Sequence, residues 1–147
     1  MDNRISSNLC YLNENYRNTV QITEYCNDEF GADVTAIGLN GEKVALLSLK
    51  DAVAELQDQH SSNVKSRCAI IYKKGNEQIA MEAAEMLSEK DRAFDAVDND
   101  RISIITVEMS KGLEFENVVA INDSMTINEK YVSYTRALEK LIVTQTI

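Results

Sequence analysis

Three short stretches of the sequence place an arginine or a lysine beside an aromatic residue or a glycine. Tyr16 and Arg17 lie in NYRNT. Lys111 and Gly112 lie in SKGLEF, and Arg136 lies in YVSYTRAL. A guanidinium stays charged and offers forked donors to phosphoryl oxygens, an aromatic ring can stack on a base, and glycine lets a backbone approach a ligand. Each stretch alone has an ordinary structural explanation, since most arginines and lysines are solvated surface residues. Only their combination is evidence of function.

The sequence lacks the motifs with which a chain performs nucleotide, zinc-peptidase or serine-hydrolase chemistry on its own. GxxxxGK[ST], GxGxxG, HExxH and GxSxG are all absent. The single histidine, His60, cannot form a histidine metal site, and the cysteines at positions 10, 26 and 68 are too scattered for a metal knuckle. We therefore expect no metal site and no self-sufficient hydrolase or dehydrogenase.

Length and composition are those of one ordinary globular domain. The chain has 147 residues, of which 44% are hydrophobic and 27% are charged. Its formal net charge of −9 argues against this chain alone holding a nucleic-acid backbone, and it suits a basic protein partner. The odd number of cysteines and the lack of a secretory signal or a membrane-length apolar run predict a cytoplasmic protein.

Hydrophobic periodicity predicts helices along much of the chain. Asn18 and Gln21 resemble the capping pair of a first helix, and Gly31 is placed to end it. Further helices are predicted in KDAVAELQDQHSS, from Glu77 to Leu87, and in TINEKYVSYTRAL. The Asn-Gly pair at positions 40 and 41 lies between two apolar runs and predicts a hairpin.

The last predicted helix is expected to have a capping box and a polar face. Thr126 and Glu129 have the spacing of the capping box. The polar face, opposite the apolar stripe, would contain Glu129, Ser133, Arg136 and Lys140.

Buried strands are predicted between the helices, in RCAIIYK, RISIITV, ENVVAIN and EKLIVTQTI, with a polar connector in SEKDRAFDAVDND. Strands that alternate with helices imply an α/β sandwich around a mostly parallel sheet. Ligands bind such sheets beyond the carboxyl ends of the strands. SKGLEF follows RISIITV, so we expect a binding site at that edge of the sheet.

Four segments, in their order along the chain, resemble the later motifs of UvrD/Rep-like superfamily 1 helicases. They are NYRNT, AIIYKKGNEQIAMEAAEML, ISIITVEMSKGLEFENVVAI and YVSYTRALEKL. The resemblance runs from Leu12 to Leu141, and SKGLEF with YVxxTRA at this spacing is its most specific part. It implies that residues 1–147 are the second RecA-like domain, the C-terminal part of a larger protein. The implied fold is a three-layer sandwich with helices on both faces of a mostly parallel sheet.

The resemblance also implies an ATP site with named residues. In the family, ATP lies between two RecA-like domains, and the first of these supplies the phosphate-binding loop, the Mg²⁺ ligand and the catalytic glutamate. ATP and Mg²⁺ are the implied cofactors, and that first domain is an implied partner. By motif position, Arg17 and Arg136 would be the catalytic residues that meet the γ-phosphate, and Tyr16 would stack on the adenine. Glu114 would accept hydrogen bonds from the ribose, with Gly112 letting the backbone come close.

The same resemblance implies a path for single-stranded DNA near Thr106, Ser110 and Lys111. The parent would be an ATP-dependent DNA helicase or translocase. Because the isolated chain lacks the phosphate-binding loop, we expect it to be inactive.

Three features depart from the family pattern. Glu108 stands where the family usually has histidine, and a carboxylate there would repel phosphate. Lys73 stands where arginine is common. The large inserted subdomain expected between Leu87 and Ile102 is replaced by a short connector, residues 88–101, as in some shortened relatives that include RNA-polymerase-associated helicase-like proteins.

Two other interpretations remain open. The chain could be a non-catalytic acidic docking module for a basic partner such as RNA polymerase. The net charge and Glu108 favour that hypothesis, and the complete set of Tyr16, Arg17, Glu114 and Arg136 disfavours it, because docking needs none of these residues. An unrelated flavodoxin-like domain would not explain the ordered motifs.

Overall fold

The computed structural model describes residues 14–15, 18–31, 35–36, 43–63 and 65–144, which form strands and helices in alternation. The strands are β1 (Glu14–Asn15), β2 (Thr35–Ala36), β3 (Ala45–Leu47), β4 (Cys68–Tyr72), β5 (Arg92–Phe94), β6 (Ile102–Thr106), β7 (Phe115–Ala120) and β8 (Ala137–Thr144). The α-helices are α1 (Val20–Phe30), α2 (Leu49–Ser62), α3 (Glu77–Glu85), α4 (Val107–Ser110) and α5 (Ile127–Tyr134). A 3₁₀ turn, Glu89–Asp91, precedes β5.

Six of the strands form one sheet in the spatial order β3-β8-β7-β4-β6-β5, and all of its pairs are parallel. Strands β1 and β2 form a separate parallel pair. Every residue of the central strands β4 and β6 is buried, because both faces of the sheet are covered. Such strands are rich in apolar and β-branched residues, as the sequence predicts for a parallel sheet.

Two hydrophobic cores, one on each face of the sheet, hold the three layers together. On one face, α1 and α5 pack on alternate sheet residues such as Ile71, Ile105 and Leu141. On the other face, α2 and α3 pack on the residues between them, such as Ile70 and Ile104. This arrangement confirms the predicted α/β three-layer sandwich, with the difference that the six-stranded sheet is parallel throughout rather than mostly parallel.

Most helix boundaries follow from capping residues in the sequence. Gly31 ends α1 in the left-handed conformation (φ 68°), as predicted. The predicted capping box at the start of α5 is present, with Thr126 and Glu129 bonding each other's backbone amides. The predicted cap of α1 is wrong: Thr19, not Asn18, accepts the hydrogen bond from the backbone amide of Ile22, because the Asn18 side chain is engaged elsewhere.

The predicted hairpin is also wrong. β2 pairs with β1, and β3 pairs in parallel with β8, so the two apolar runs belong to different sheets. Positions 40 and 41 lie outside the described residues. The polar connector at 88–101 likewise contains more structure than predicted, because β5 adds a parallel edge strand to β6. Its three residues, of which two are polar or small, are too few to show a periodic signal.

The polar face predicted for the last helix does not form. Helix α5 ends at Tyr134, and Lys140 lies on β8, where its ammonium pairs with Glu55 at 2.8 Å. Ser133 is buried, and Arg136 lies in the turn between helix and strand. The residues from Ala137 onwards extend because they pair with β7 and complete the sheet.

None of the helices in the described part of the chain is long and apolar enough to cross a membrane. Within the same residues, no group of three histidine, cysteine or acidic side chains is arranged to hold a metal ion.

Candidate functional site

Arg136 lies at the turn where α5 gives way to β8, and its guanidinium is held in place by nearby oxygens. Nε donates to the carbonyl of Val132 at 3.1 Å, and Nη1 donates to the carbonyl of Leu113 at 3.3 Å. Nη2 is 3.4 Å from the hydroxyl oxygen of Thr135. These three partners are uncharged oxygens, and together they orient the half-buried guanidinium.

Glu114 lies beside this turn, immediately before β7. The bond from Arg136 to the carbonyl of Leu113 joins the two segments, and the backbone amide of Phe115 donates to the carbonyl of Arg136 at 2.9 Å. Leu113 and Phe115, the two neighbours of Glu114 in the sequence, therefore both contact Arg136. The glutamate of SKGLEF and the arginine of YVSYTRAL are 22 positions apart in sequence and meet at the amino ends of neighbouring strands.

Asn18 brings the NYRNT segment to the same place. Its side-chain amide is buried and donates to the carbonyls of Thr135 at 3.0 Å and of Ala137, the residues on either side of Arg136. Asn18 follows Arg17 directly in the sequence. Tyr16 and Arg17 themselves lie outside the described residues.

Aromatic packing holds α1, the helix that begins two residues after Asn18, against α5. The ring of Tyr134 on α5 lies 5.8 Å from the rings of both Tyr25 and Phe30 on α1, between centroids. Phe30 also meets Tyr131 edge-on at 5.9 Å. Such ring pairs stabilise helix packing beyond the area they bury, so the middle and the carboxyl end of α1 are held against α5.

An ion pair that the sequence analysis missed lies next to Glu114. Arg67 donates from Nε and Nη2 to the two carboxylate oxygens of Glu116 at 3.1 and 2.9 Å, and its backbone amide donates at 2.7 Å. These hydrogen bonds from Arg67 lower the pKa of Glu116, although partial burial opposes them. The pair ties the amino end of β4 to that of β7. No sequence signal could reveal it, because the partners are 49 positions apart.

The three residues predicted to lie near single-stranded DNA differ in exposure, and Thr106 lies at the other end of the sheet. Thr106 ends β6, and its hydroxyl accepts the hydrogen bond that caps α4 from the amide of Met109 at 3.3 Å. Ser110 is fully buried and donates to the carbonyl of Val107 at 2.7 Å, which argues against direct contact with a ligand. Lys111 is exposed.

Gly112 follows with φ of 81°, and a Cβ there would meet nothing within 4 Å. The backbone conformation therefore accounts for a glycine at this position. Neighbouring protein atoms impose no steric requirement for one.

The predicted location of the whole site at the carboxyl edge of the sheet needs correction. Thr106 is in register with Tyr72 at the carboxyl end of β4, whereas Asn117 is in register with Cys68 at its amino end. At ~3.3 Å per residue, Thr106 and Phe115 are about 20 Å apart along the strand direction. The segment from Thr106 to Glu114 thus runs from one end of the sheet to the other, and Glu114 and Arg136 lie at the amino ends.

Lys73, where the family commonly has arginine, makes a specific contact at the carboxyl end of β4. Its ammonium lies 2.7 Å from a carboxylate oxygen of Glu129, and hydrogen bonding to Lys73 lowers the pKa of Glu129. Glu129 also bonds the backbone amide of Thr126 in the capping box. Lys73 therefore fastens the start of α5 to the sheet.

Comparisons with known proteins agree with this architecture. No family model matches the sequence, and no curated protein does. The chain is similar to the C-terminal domain of a possible DNA helicase from Lactobacillus plantarum WCFS1, with a TM-score of 0.64 and 18% identity over 89% of this chain and 87% of that one. It also matches the helicase PRRSV nsp10 over 89% of this chain and 23% of that one, with 15% identity and a TM-score of 0.46, which is too low to establish a shared fold. The first likeness confirms the RecA-like α/β fold.

Proposed function

We propose that this chain is the second RecA-like domain of an ATP-dependent DNA helicase or translocase of the UvrD/Rep-like superfamily 1 type. In this proposal the chain completes an ATP site together with an N-terminal RecA-like domain of the same parent. The observation that carries the proposal is the hydrogen-bonded cluster around Arg136. Asn18 bonds both residues that flank Arg136, and Arg136 bonds Leu113, the neighbour of Glu114. Three motifs of the resemblance thereby meet at one point.

The chemistry of the cluster fits a triphosphate. Negative charge develops on the γ-phosphoryl oxygens during transfer, and a preorganised guanidinium stabilises it without reorganising. Arg136 would supply that charge, and Arg17, next to the Asn18 contact, would supply a second one. Glu114 would accept from the ribose hydroxyls, and Tyr16 would stack on the adenine.

Mg²⁺ belongs to the other domain in this proposal. Among the described residues, no three histidine, cysteine or acidic side chains are arranged to hold a metal ion. When bound, the ion would neutralise phosphate charge between the domains. This chain would contribute only its arginines to that step.

The proposed set of DNA-contacting residues is smaller than the set predicted from the sequence. Lys111 and Thr106 remain candidates, and the burial of Ser110 leaves it a role in shaping the turn. The nucleotide cluster and Thr106 lie at opposite ends of the segment 106–114, so this one segment would link the bound nucleotide to the DNA strand.

The alternative of a non-catalytic docking module draws on the negative charge of the chain, but it does not account for the Arg136 cluster. Neither the structure nor the comparisons point to RNA polymerase as a partner.

The proposal is tested on the native protein. We would purify it from its source cells, determine its intact mass, and measure ATP hydrolysis with and without single-stranded DNA. We expect a mass well above 16.5 kDa, DNA-stimulated hydrolysis by the native protein, and no hydrolysis by the isolated 147-residue chain. A native mass of 16.5 kDa without ATPase activity would contradict the proposal, and robust hydrolysis by the isolated chain would contradict the predicted role of a second domain.

A further inference from the structure

A groove that none of the proposed ATP contacts uses lies at the carboxyl edge of the sheet, beside the edge strand β5. It has a volume of about 350 Å³, within the range of sites that bind small groups. Its walls are formed by Tyr72, Lys74, Glu77, Phe94, Asp95, Thr106 and Glu108. Three carboxylates face one ammonium in this lining, so the groove has a formal charge of −2.

An aromatic pair forms the apolar part of the groove. The rings of Tyr72 and Phe94 stack with centroids 6.3 Å apart and planes 21° apart. Tyr72 is only 2% exposed, whereas Phe94 is 39% exposed, which is high for a phenylalanine. Phe94 therefore rests on a fixed ring and remains partly open to a further planar group.

The hydroxyl of Tyr72 is a polar group that the groove leaves without a partner. It makes no hydrogen bond with any residue in the described ranges, although the side chain is almost completely buried. Burial raises the pKa of Tyr72, and the charges of Asp95 and Glu77 raise it further. A tyrosine hydroxyl can both donate and accept a hydrogen bond, so this one is available to a polar group that enters the groove.

We propose that this groove binds an arginine side chain from a basic segment of a partner protein. A guanidinium is planar, stacks on aromatic faces and presents forked donors to carboxylates. It would lie against Phe94, pair with Glu108 or Asp95, and donate to the hydroxyl oxygen of Tyr72. Lysine would supply the charge without the planar face.

The same lining disfavours nucleic acid in the groove. A base could stack on Phe94, but its phosphates would meet three carboxylates and one lysine. Thr106, a candidate DNA contact, is part of this lining, so a strand that contacts Thr106 and Lys111 would pass along the edge of the groove rather than fill it. The inference concerns the isolated chain and is independent of the proposed ATP site.

The test is an NMR titration of the ¹⁵N-labelled 147-residue chain with a capped Gly-Arg-Gly-Arg-Gly peptide. The matched probe is the same peptide with citrulline in place of arginine, which keeps the shape and loses the charge. We expect the arginine peptide to shift the amides of residues 94–95 and 106–108 with a dissociation constant of about 1 mM, and to bind more weakly as salt rises. Equal shifts with the citrulline peptide, or no shifts in the groove, would overturn the proposal.

Two variants and one control localise the binding. Glu108→Gln removes a groove charge, and Phe94→Leu keeps apolar bulk while removing the aromatic face; each should weaken binding about three-fold. Glu139→Gln makes the same charge change at an exposed position towards the amino end of β8 and should leave binding unchanged. If Glu139→Gln weakens peptide binding as much as the groove variants do, the effect depends on net charge alone and the groove is not the binding site. Groove shifts caused by an oligothymidylate of eight nucleotides would reassign it to nucleic acid.

Discussion

Replacing Asn18 by alanine tests the contact on which the assembly of the site depends. The side chain is 2% exposed, and its amide donates to the carbonyls of Thr135 and Ala137. Each hydrogen bond contributes about 1 kcal/mol net, and a buried carbonyl left without its donor costs ~1 kcal/mol or more. We therefore expect Asn18→Ala to lower the free energy of unfolding by about 2–3 kcal/mol. For a chain of this length that corresponds to a fall in Tm of roughly 6–9 °C.

The assay is urea unfolding of the 147-residue chain followed by far-UV circular dichroism. Asn99→Ala, at an exposed turn position, is the matched control and should change stability by less than ~0.5 kcal/mol. Asn18→Asp keeps the shape but cannot donate from a carboxylate, so it should destabilise at least as much at neutral pH. If Asn18→Ala is as stable as Asn99→Ala, the amide does not hold the Arg136 turn and the reasoning fails.

Three further predictions concern a glycine, an ion pair and two thiols. Gly112→Ala should lower the free energy of unfolding by about 1–2 kcal/mol in urea, because φ is 81° although the space is open; unchanged stability would show that the turn can relax. Because Arg67 lowers the pKa of Glu116 in the folded state, the pair stabilises the fold above the unfolded carboxyl pKa of about 4.3 and is lost as the pH falls through the lower folded value. The wild-type chain should therefore exceed Glu116→Gln in free energy of unfolding by a constant amount above about pH 6, and this difference should shrink towards about pH 3 in urea titrations. A difference that stays unchanged at low pH would argue against the pair. Burial raises the pKa of Cys26 to about 12 and that of Cys68 to about 11, so peptide mapping should find both unalkylated by iodoacetamide at neutral pH in the native chain and alkylated in urea; fast native labelling would contradict their burial.

The layers of the fold could be predicted from the sequence because local signals agree with the tertiary structure. The buried strands β4 and β6 are continuous apolar runs, and the capping box of Thr126 and Glu129 marks the start of α5. The failures occurred where pairing between distant residues decides the conformation. β3 pairs with β8 rather than with its neighbour in sequence, and Arg136 leaves the helical pattern because Ala137 joins the sheet.

The sequence motifs named candidate residues for the site but did not predict how these residues are arranged. The motifs indicated Glu114 and Arg136, yet only the crossover from β6 to β7 puts them at the amino ends of the strands. The local spacing of Asn18 predicts a helix cap, whereas the partners of its side chain in the structure are more than 100 positions away. The burial of Ser110 could not be read from a turn-like sequence either.

The steady-state ATPase of the native protein carrying Arg136→Ala tests the central claim most directly. We expect single-strand-stimulated kcat to fall by ~10³-fold or more, as for an arginine that stabilises phosphoryl-transfer charge, while the KM for ATP changes much less. Arg101→Ala, at an exposed position with a loose ion pair to Asp98 at 3.7 Å, is the control and should keep wild-type kcat. An Arg136→Ala protein that folds normally and hydrolyses ATP at the wild-type rate would contradict the assignment of this cluster to the ATP site.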